Sequence, residues 1–159
     1  MRKILTAAMA LALALSLAAC GGQGGTADEG YDTALVATVA EGGAFSEELE
    51  ELDGDTAFAL YKLADHGLAR EDLTDCAVMR SAGATCEEAA VLVLTDKDKA
   101  AEAKTAMSAY VEGQIEANVD YRPAEIPKLE SALVEQKGNT VLLVVANDLE
   151  TAKTALGDQ

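Results

Sequence analysis

The distribution of apolar and polar positions predicts four strands in the second half of the chain. Residues 89–94 (AAVLVL) and 140–146 (TVLLVVA) are apolar at nearly every position, which is typical of strands that are buried on both faces of a sheet. Residues 73–80 and 132–137 carry polar side chains on their pleats, as expected of edge strands. Placing the two apolar strands in the centre gives the spatial order third, fourth, second, first.

Turn and cap residues indicate how these strands are connected. Gly138-Asn139 is a two-residue hairpin signal between the last two strands. Asp96 is expected to cap a long helix that ends near Asn118, and a last helix covers residues 147–156. The long helix crosses between two parallel strands and, with the final helix, is expected to cover one face in a circularly permuted, ferredoxin-like split β-α-β arrangement. The predicted buried face of the long helix consists of Ala100, Ala103, Met107, Tyr110, Gln114 and Ala117.

The N-terminal half is predicted to be helical. Helices are expected over residues 31–40, 46–52 and 55–66. Gly67 suits the left-handed position that commonly follows a helix. Either these helices or a second subunit would cover the other face of the sheet. The predicted fold class is therefore α+β, with a four-stranded, mostly antiparallel sheet that follows short N-terminal helices.

Residues 1–19 have the organisation of a secretory signal peptide. A positive head is followed by an apolar run over residues 4–17, which is shorter than the roughly 20 residues needed to span a bilayer. The segment Leu17-Ala18-Ala19-Cys20 resembles the lipobox of bacterial lipoproteins. This resemblance implies that the Cys20 sulfur receives a diacylglyceryl group, that cleavage follows Ala19, and that Cys20 becomes the mature N-terminus.

A lipidated Cys20 would determine where the protein resides. Residues 20–30 are Gly-rich and would form a flexible tether to a single α+β domain over residues 31–159. Acyl chains such as palmitate contribute about 0.8 kcal/mol per buried CH₂, so two or more chains hold a protein stably on a membrane. The expected location is the cell membrane, on the side that faces outside the cytoplasm.

The charge of the chain narrows the range of partners. The sequence has 28 acidic and 12 basic side chains, a formal net charge of −16, and removal of residues 1–19 leaves 10 basic against 28 acidic side chains, a charge of −18. Such a surface repels nucleic acid, so no nucleic-acid partner is predicted. No acidic run has the spacing of a calcium-binding loop, and Asp53-Gly54-Asp55 is interpreted as a turn that ends in a helix cap. The charge is interpreted as a solvated surface around a tethered domain.

Two cysteines remain besides Cys20. Cys76 and Cys86 form an even number in an oxidising compartment and could bridge the first hairpin, which would stabilise the fold by roughly 2.5–3 kcal/mol on a chain-entropy estimate. Two unpaired thiols are the alternative, and both interpretations stay open. A redox pair is less favoured because the spacing is not Cys-x-x-Cys.

Few residues suggest catalysis. His66 is the single histidine, which argues against most metal sites and catalytic triads, and its place at a predicted helix end gives it a structural explanation. Glu87-Glu88, or Asp72 with Asp75, could serve as a pair of catalytic carboxylates, but such pairs arise by chance among 28 acidic residues. We therefore assign no catalytic residue, no cofactor-binding residue and no metal ligand, and expect no cofactor.

Several loose motifs together resemble a known family. They are Leu60-Tyr61, the turn of residues 81–85 with Glu87-Glu88, the Ala-rich helix after Asp96, Tyr121-x-Pro123-x-Glu125 and Lys137-Gly138-Asn139. In these features the chain resembles, over about residues 31–157, small bacterial lipoproteins that are classed as domain of unknown function 4358. Cys86 and Pro127 depart from the family pattern. The resemblance supports the predicted fold and location and implies no activity.

Three hypotheses about function follow. The first is a non-catalytic surface module that binds an envelope protein or a small ligand, with an apolar sheet face as its interface. The second is a small hydrolase that uses acidic residues, although an enzyme is the less favoured class. The third is a homo-oligomeric structural lipoprotein whose open sheet face is buried by a second copy.

Overall fold

The computed structural model describes residues 30–157. The predicted signal peptide, the lipidation site Cys20 and residues 20–29 of the tether lie outside these residues. Within residues 30–157, no helix has both the length and the apolar character that crossing a bilayer requires. The helices are α1 (Ala34–Glu41), α2 (Gly54–Leu60), α3 (Lys97–Asn118), α4 (Ile126–Glu130) and α5 (Leu149–Leu156), and three 3₁₀ turns span Leu63–His66, Arg70–Asp72 and Pro123–Glu125. The strands are β1 (Glu50–Leu52), β2 (Leu73–Arg80), β3 (Glu88–Leu94), β4 (Leu133–Lys137) and β5 (Thr140–Val145).

The strands form one antiparallel sheet in the order β1-β2-β3-β5-β4. The predicted spatial order of the last four strands is confirmed. The predicted number of strands is wrong, because β1 pairs with β2 and places Leu52 opposite Val78. Residues 46–52 were expected to form a helix and contain this strand instead. A short strand there covers the backbone edge of β2, which a helix would leave unpaired.

Helices cover both faces of the sheet. We call the side under α2, α3 and α4 the α3 face, and its core includes Leu92 and Met107. The opposite side is the α1/α5 face, where α1 and α5 pack around Val91, Leu142 and Leu156. The prediction that the long and final helices share one face is wrong, because α5 packs beside α1 on the side away from α3. The ferredoxin-like arrangement is therefore not confirmed, and the helices of this chain cover both apolar sheet faces.

Aspartates start three of the helices. Asp53, Asp96 and Asp148 accept hydrogen bonds from backbone N–H groups in the first turns of α2, α3 and α5. These bonds satisfy donors that have no partner within the helix. The predicted cap of the long helix, Asp96, is confirmed, and the last helix starts where it was expected. The earlier helix is capped by Asp53 and not by Asp55. Asp53-Gly54-Asp55 is thus a cap and the first turn of a helix.

The buried residues of α3 differ from the predicted ones toward the end of the helix. Its buried residues are Ala100, Ala103, Ala106, Met107, Val111 and Asn118. The predicted stripe starts correctly but ends at Ala117, which is exposed. Its spacing averages 3.4 residues per turn, while an α-helix has 3.6, so the stripe drifts around the axis over five turns. The helix keeps its contact with the sheet by shifting to Val111 and Asn118.

Candidate functional site

A cleft of about 420 Å³ opens between the end of α2, the 3₁₀ turn that follows it and the middle of α3. We call it the α2–α3 cleft. Its volume lies within the range of about 300–1,000 Å³ that is usual for small-molecule sites. The cleft is lined by Leu60, Tyr61, Lys62, His66, Ala106, Ala109, Tyr110, Gly113 and Gln114.

The wall on the α2 side is shaped by an unusual backbone conformation. Lys62 has a φ of 51° and is the one non-glycine residue with positive φ among residues 30–157. Its neighbours Tyr61 and Leu63 are both buried, so Lys62 is the exposed residue between two anchored side chains. Gly67, with a φ of 86°, then ends the 3₁₀ turn as predicted. The helix predicted over residues 55–66 is therefore divided in two, and the cleft opens at the division.

The wall on the α3 side is built from small residues. Ala106, Ala109 and Gly113 line it, and a Cβ added at Gly113 would meet no atom within 4 Å. Because none of these residues has a side chain that extends beyond Cβ, the space beside this part of the helix stays open and forms the cleft. Larger residues on the same helix, such as Met107 and Val111, point into the core.

Two tyrosines form the floor. The rings of Tyr61 and Tyr110 meet edge to face, with centroids 5.1 Å apart and planes at 88°. Both hydroxyls donate hydrogen bonds to Glu88, and the bond from Tyr110 measures 2.8 Å. Because Tyr61 is fully buried and Tyr110 is half-buried, Tyr110 provides more of the surface that the cleft exposes.

Glu88 is a buried carboxylate at the start of β3. Burial raises its pKa, and the hydrogen bonds from the two tyrosines together with the charge of Arg80 oppose that rise. The Arg80 Nε atom lies 3.8 Å from a Glu88 oxygen and has no hydrogen-bond partner of its own. Burial and the nearby Glu88 carboxylate raise the pKa of both tyrosines. The hydroxyls therefore stay protonated and hold the rings in place, which is a positioning role.

Glu87 lies beside Glu88 in the chain but joins a different set of groups. It accepts hydrogen bonds from the Ser46 N–H at 2.7 Å and the Ser46 hydroxyl at 2.6 Å, and it pairs with the Lys128 ammonium at 2.6 Å. Lys128 also reaches Glu125 at 3.1 Å. Burial alone would lower the pKa of Lys128, but its bonds to the two glutamates outweigh that effect and raise it. This cluster ties α4 and the loop before β1 to the end of the sheet.

The predicted carboxylate pairs do not converge on a common space. Glu87 and Glu88 follow one another in extended chain and bond to different partners. Asp72 accepts the Ala69 N–H at 2.8 Å, and Asp75 accepts the Cys76 N–H at 2.9 Å. None of the four lines the α2–α3 cleft.

The structure contains Cys76 and Cys86 as free thiols. Cys76 pairs with Leu92, and Glu88 pairs with Arg80, so Cys86 lies six strand positions from the partner of Cys76. At about 3.4 Å per residue this separates the two by about 20 Å, whereas a disulfide needs Cα atoms within about 7 Å. Of the two alternatives that the sequence left open, the structure has the unpaired thiols and not the bridge. Burial raises the pKa of both thiols.

His66 occupies the position that the sequence predicts, at the end of the 3₁₀ turn and before Gly67. The structure adds that His66 lies at the rim of the α2–α3 cleft together with Lys62. Sequence reasoning missed Lys62 because nothing in its neighbours marks a left-handed residue. The available signal was the small residues Ala106, Ala109 and Gly113, which repeat along α3 on the side away from its large apolar residues.

Within residues 30–157, no group of three or more His, Cys, Asp or Glu side chains is arranged to hold a metal ion.

The comparison with protein families gives a match to a model described as "Domain of unknown function (DUF4358)", over residues 47–146. No curated protein and no solved structure matches the chain. The matched residues include both tyrosines of the floor, both adjacent glutamates and the whole of α3.

Proposed function

This chain belongs to the DUF4358 family, for which no activity is described, and from that premise we propose that it is a non-catalytic, lipid-anchored binding module outside the cytoplasm, with the α2–α3 cleft as its ligand site. The observation that carries the proposal is the cleft itself. It is concave, lined by both apolar and polar groups, and floored by two aromatic rings that buried hydrogen bonds hold in place. These are the properties of small-molecule sites in general.

The charge of the cleft lining favours binding over hydrolysis. The chain has 28 acidic residues, yet none of the residues that line the cleft is acidic. The nearest buried carboxylate, Glu88, is occupied by two tyrosine hydroxyls beneath the floor. A hydrolase that uses acidic residues needs a carboxylate with access to the substrate. No observation on residues 30–157 favours the homo-oligomer either, since helices of the same chain cover both sheet faces.

The position of the N-terminus supports an anchored module. The Tyr31 N–H donates to the Thr140 hydroxyl at 2.7 Å, so the chain that leads to Cys20 attaches next to the β4–β5 hairpin. Gln136 donates to the Lys97 carbonyl at 2.8 Å, so α3 begins at the same end of the sheet. The cleft residues of α3 lie 9 to 17 residues further along, or roughly 14 to 26 Å at 1.5 Å per residue. The tether from Cys20 would therefore join the domain at a distance from the cleft and leave its opening free.

The cleft is tested by filling it. Gly113→Phe places a ring where a Cβ meets no other atom, so the variant should fold and lose the site. Saturation-transfer NMR with indole as a neutral probe, on processed protein in detergent, should show transfer to indole with the unsubstituted protein and none with Gly113→Phe. Ala101→Phe is the matched control, because it adds the same ring to an exposed position of the same helix that does not line the cleft. Equal transfer in all three proteins would contradict the proposed site.

The anchor is tested at the lipobox. Cys20→Ser removes the sulfur that the lipid modifies and should move the protein from the membrane pellet to the soluble or precursor fraction. Incorporation of labelled palmitate should be lost in parallel. Cys86→Ser, which changes a thiol within the domain, should change neither readout. An unaltered distribution of Cys20→Ser would contradict the anchor and leave the cleft to be judged by the NMR experiment alone.

A further inference from the structure

Resting on the proposed function, we infer that the α2–α3 cleft binds a small organic carboxylate with a flat apolar body. The carboxylate would lie between Lys62 and His66 at the rim, and the body would lie on Tyr110 between the two walls. The family description names no ligand. The inference is based on charge, shape and the fixed position of Lys62.

Charge distinguishes the cleft from the surface around it. Its two ionisable rim groups are the Lys62 ammonium and the His66 imidazole, and Gln114 adds an uncharged amide. Among residues 30–157, no carboxylate oxygen lies within 4.0 Å of the side-chain nitrogens of Lys62 or His66. The positive charge at the rim is therefore not neutralised by a close carboxylate of the domain.

Glu102, an acidic residue close to the 3₁₀ turn at the rim, is engaged elsewhere. Glu102 approaches Gly67, which follows His66, and its carboxylate pairs with the Lys99 ammonium at 2.9 Å. In a chain with a net charge of −16, a carboxylate ligand would be repelled from most of the surface and attracted here. Because the rim is basic and the rest of the chain is strongly acidic, we expect the cleft to bind an anion rather than a cation.

Shape selects a flat and apolar body. The half-buried ring of Tyr110 offers a planar surface, and its edge-to-face contact with Tyr61 and its bond to Glu88 prevent it from rotating away. Ala106 and Ala109 present methyl groups at the side, and Gly113 leaves open space beside them. A ring or a short planar chain can stack on Tyr110 in this space, as aromatic groups do on one another.

The backbone holds Lys62 at the rim. A left-handed conformation at a residue other than glycine is uncommon and persists where the surroundings impose it. The surroundings here are the buried side chains of Tyr61 and Leu63 and the 3.0 Å hydrogen bond from the Asp65 N–H to the Lys62 carbonyl. The Cα–Cβ bond of Lys62 is thereby fixed in direction before any ligand arrives, which reduces the entropy lost on binding.

The test compares an acid with its neutral amide. Hydrocinnamate and hydrocinnamide share a phenyl ring and differ in charge, so their dissociation constants are measured by NMR titration with the processed protein in detergent. We expect hydrocinnamate to bind more tightly than hydrocinnamide. Lys62→Met should weaken hydrocinnamate binding about tenfold, the loss of one charge-assisted contact, and leave hydrocinnamide within about twofold. Lys62→Arg should retain most of the preference for the acid.

Two further variants complete the design. Lys104→Met removes a lysine of α3 that does not line the cleft and should leave both dissociation constants unaltered. Lys62→Gly removes the side chain at a position with a left-handed backbone, which glycine adopts without steric strain. A lost preference for the acid over the amide in this variant can therefore be ascribed to the missing ammonium group and not to misfolding. Lys62→Gly should reproduce the effect of Lys62→Met.

The outcomes separate the two proposals. Equal binding of acid and amide, with no effect of Lys62→Met, would overturn the inference and leave the cleft as a site for neutral compounds. Absence of binding by either compound would overturn the inference and count against the proposed function, as would binding that survives Gly113→Phe. Selective loss of hydrocinnamate binding in Lys62→Met and Lys62→Gly, but not in Lys104→Met, would support both the inference and the proposed function.

Discussion

The two faces of the sheet use small residues for opposite purposes. On the α1/α5 face, a Cβ at Gly42 would meet the Ala155 Cβ at 3.0 Å, and one at Gly30 would meet the Thr140 side chain at 2.7 Å. Glycine there lets two segments touch. On the α3 face, Gly113 has open space around it and helps to form the cleft. A small residue is therefore evidence of close packing or of a cavity only after its neighbours are known.

The faces also differ in their buried polar groups. The α1/α5 face is apolar apart from its margins, whereas the floor of the cleft contains Glu88 with two tyrosines, and the nearby end of the sheet contains Glu87 with Lys128. Buried polar groups fix geometry because each has few alternative partners. The face that is proposed to bind a ligand is thus the one where buried hydrogen bonds hold the floor of the site in place.

The largest expected effect comes from breaking the buried ion pair. Lys128→Met leaves the Glu87 carboxylate buried without its cation, and should lower the free energy of unfolding by about 3 kcal/mol. Lys153→Met on α5 is the control, since Lys153 and its partner Glu150 are both exposed, and it should change stability by less than about 0.5 kcal/mol. Urea unfolding measures both. Equal losses would mean that the buried pair is no more important than a surface one.

The second prediction concerns pH. Because the pKa of folded Glu88 is raised above its usual value of 4.5, the folded state binds more protons than the unfolded state, and stability falls as the pH rises from about 4.5 through the raised pKa. Glu88→Gln cannot titrate, so the stability of the unsubstituted protein relative to this variant should fall by up to about 1.4 kcal/mol per pH unit in that window. Urea unfolding at a series of pH values tests this. A difference that is independent of pH would contradict it.

The third prediction concerns the tightly packed glycine. Gly30→Ala should lower stability by about 1 kcal/mol, because the new Cβ collides with a Thr140 side chain that is held by hydrogen bonds to Tyr31 and Lys137. Thermal unfolding measures the loss. The double variant Gly30→Ala with Thr140→Ser, which removes the colliding methyl group, should recover part of it. No change in either protein would show that the contact is looser than described.

The smallest effect has the opposite sign. Gly113→Ala should raise stability by about 0.5–1 kcal/mol, since alanine is the better helix residue and its Cβ meets nothing. The two glycine substitutions, measured side by side by thermal unfolding, test the contrast between the faces directly. A loss of stability at Gly113 would indicate that this glycine too serves a close contact.

The sequence was sufficient for those elements whose signals are local. The apolar runs of β3 and β5, the Gly138-Asn139 turn, the cap at Asp96 and the start of the last helix are predicted correctly, because each depends on a few adjacent residues. β1 was missed because its three residues become a strand only through pairing with β2. Its local composition favours a helix.

The site was harder to predict than the fold. The floor of the cleft combines residues from three parts of the chain, Tyr61, Glu88 and Tyr110, and no spacing in the sequence predicts that they are in contact. Similarly, the left-handed backbone of Lys62 is imposed by the burial of its neighbours rather than by its own residue type. His66 was identified from the sequence, but its place beside a cleft depends on where α3 packs.

The attachment of the N-terminal end also has a mechanical consequence. A pulling force on residues before Gly30 would enter the fold at the Tyr31 N–H, which is held by the Thr140 hydroxyl. The first part to yield would be Tyr31, whose hydroxyl also donates to Glu135 at 2.9 Å, followed by α1, whose eight residues can peel away one turn at a time. The strand ladders lie beyond α1 along this path, so the sheet and the α2–α3 cleft are shielded from drag on the tether.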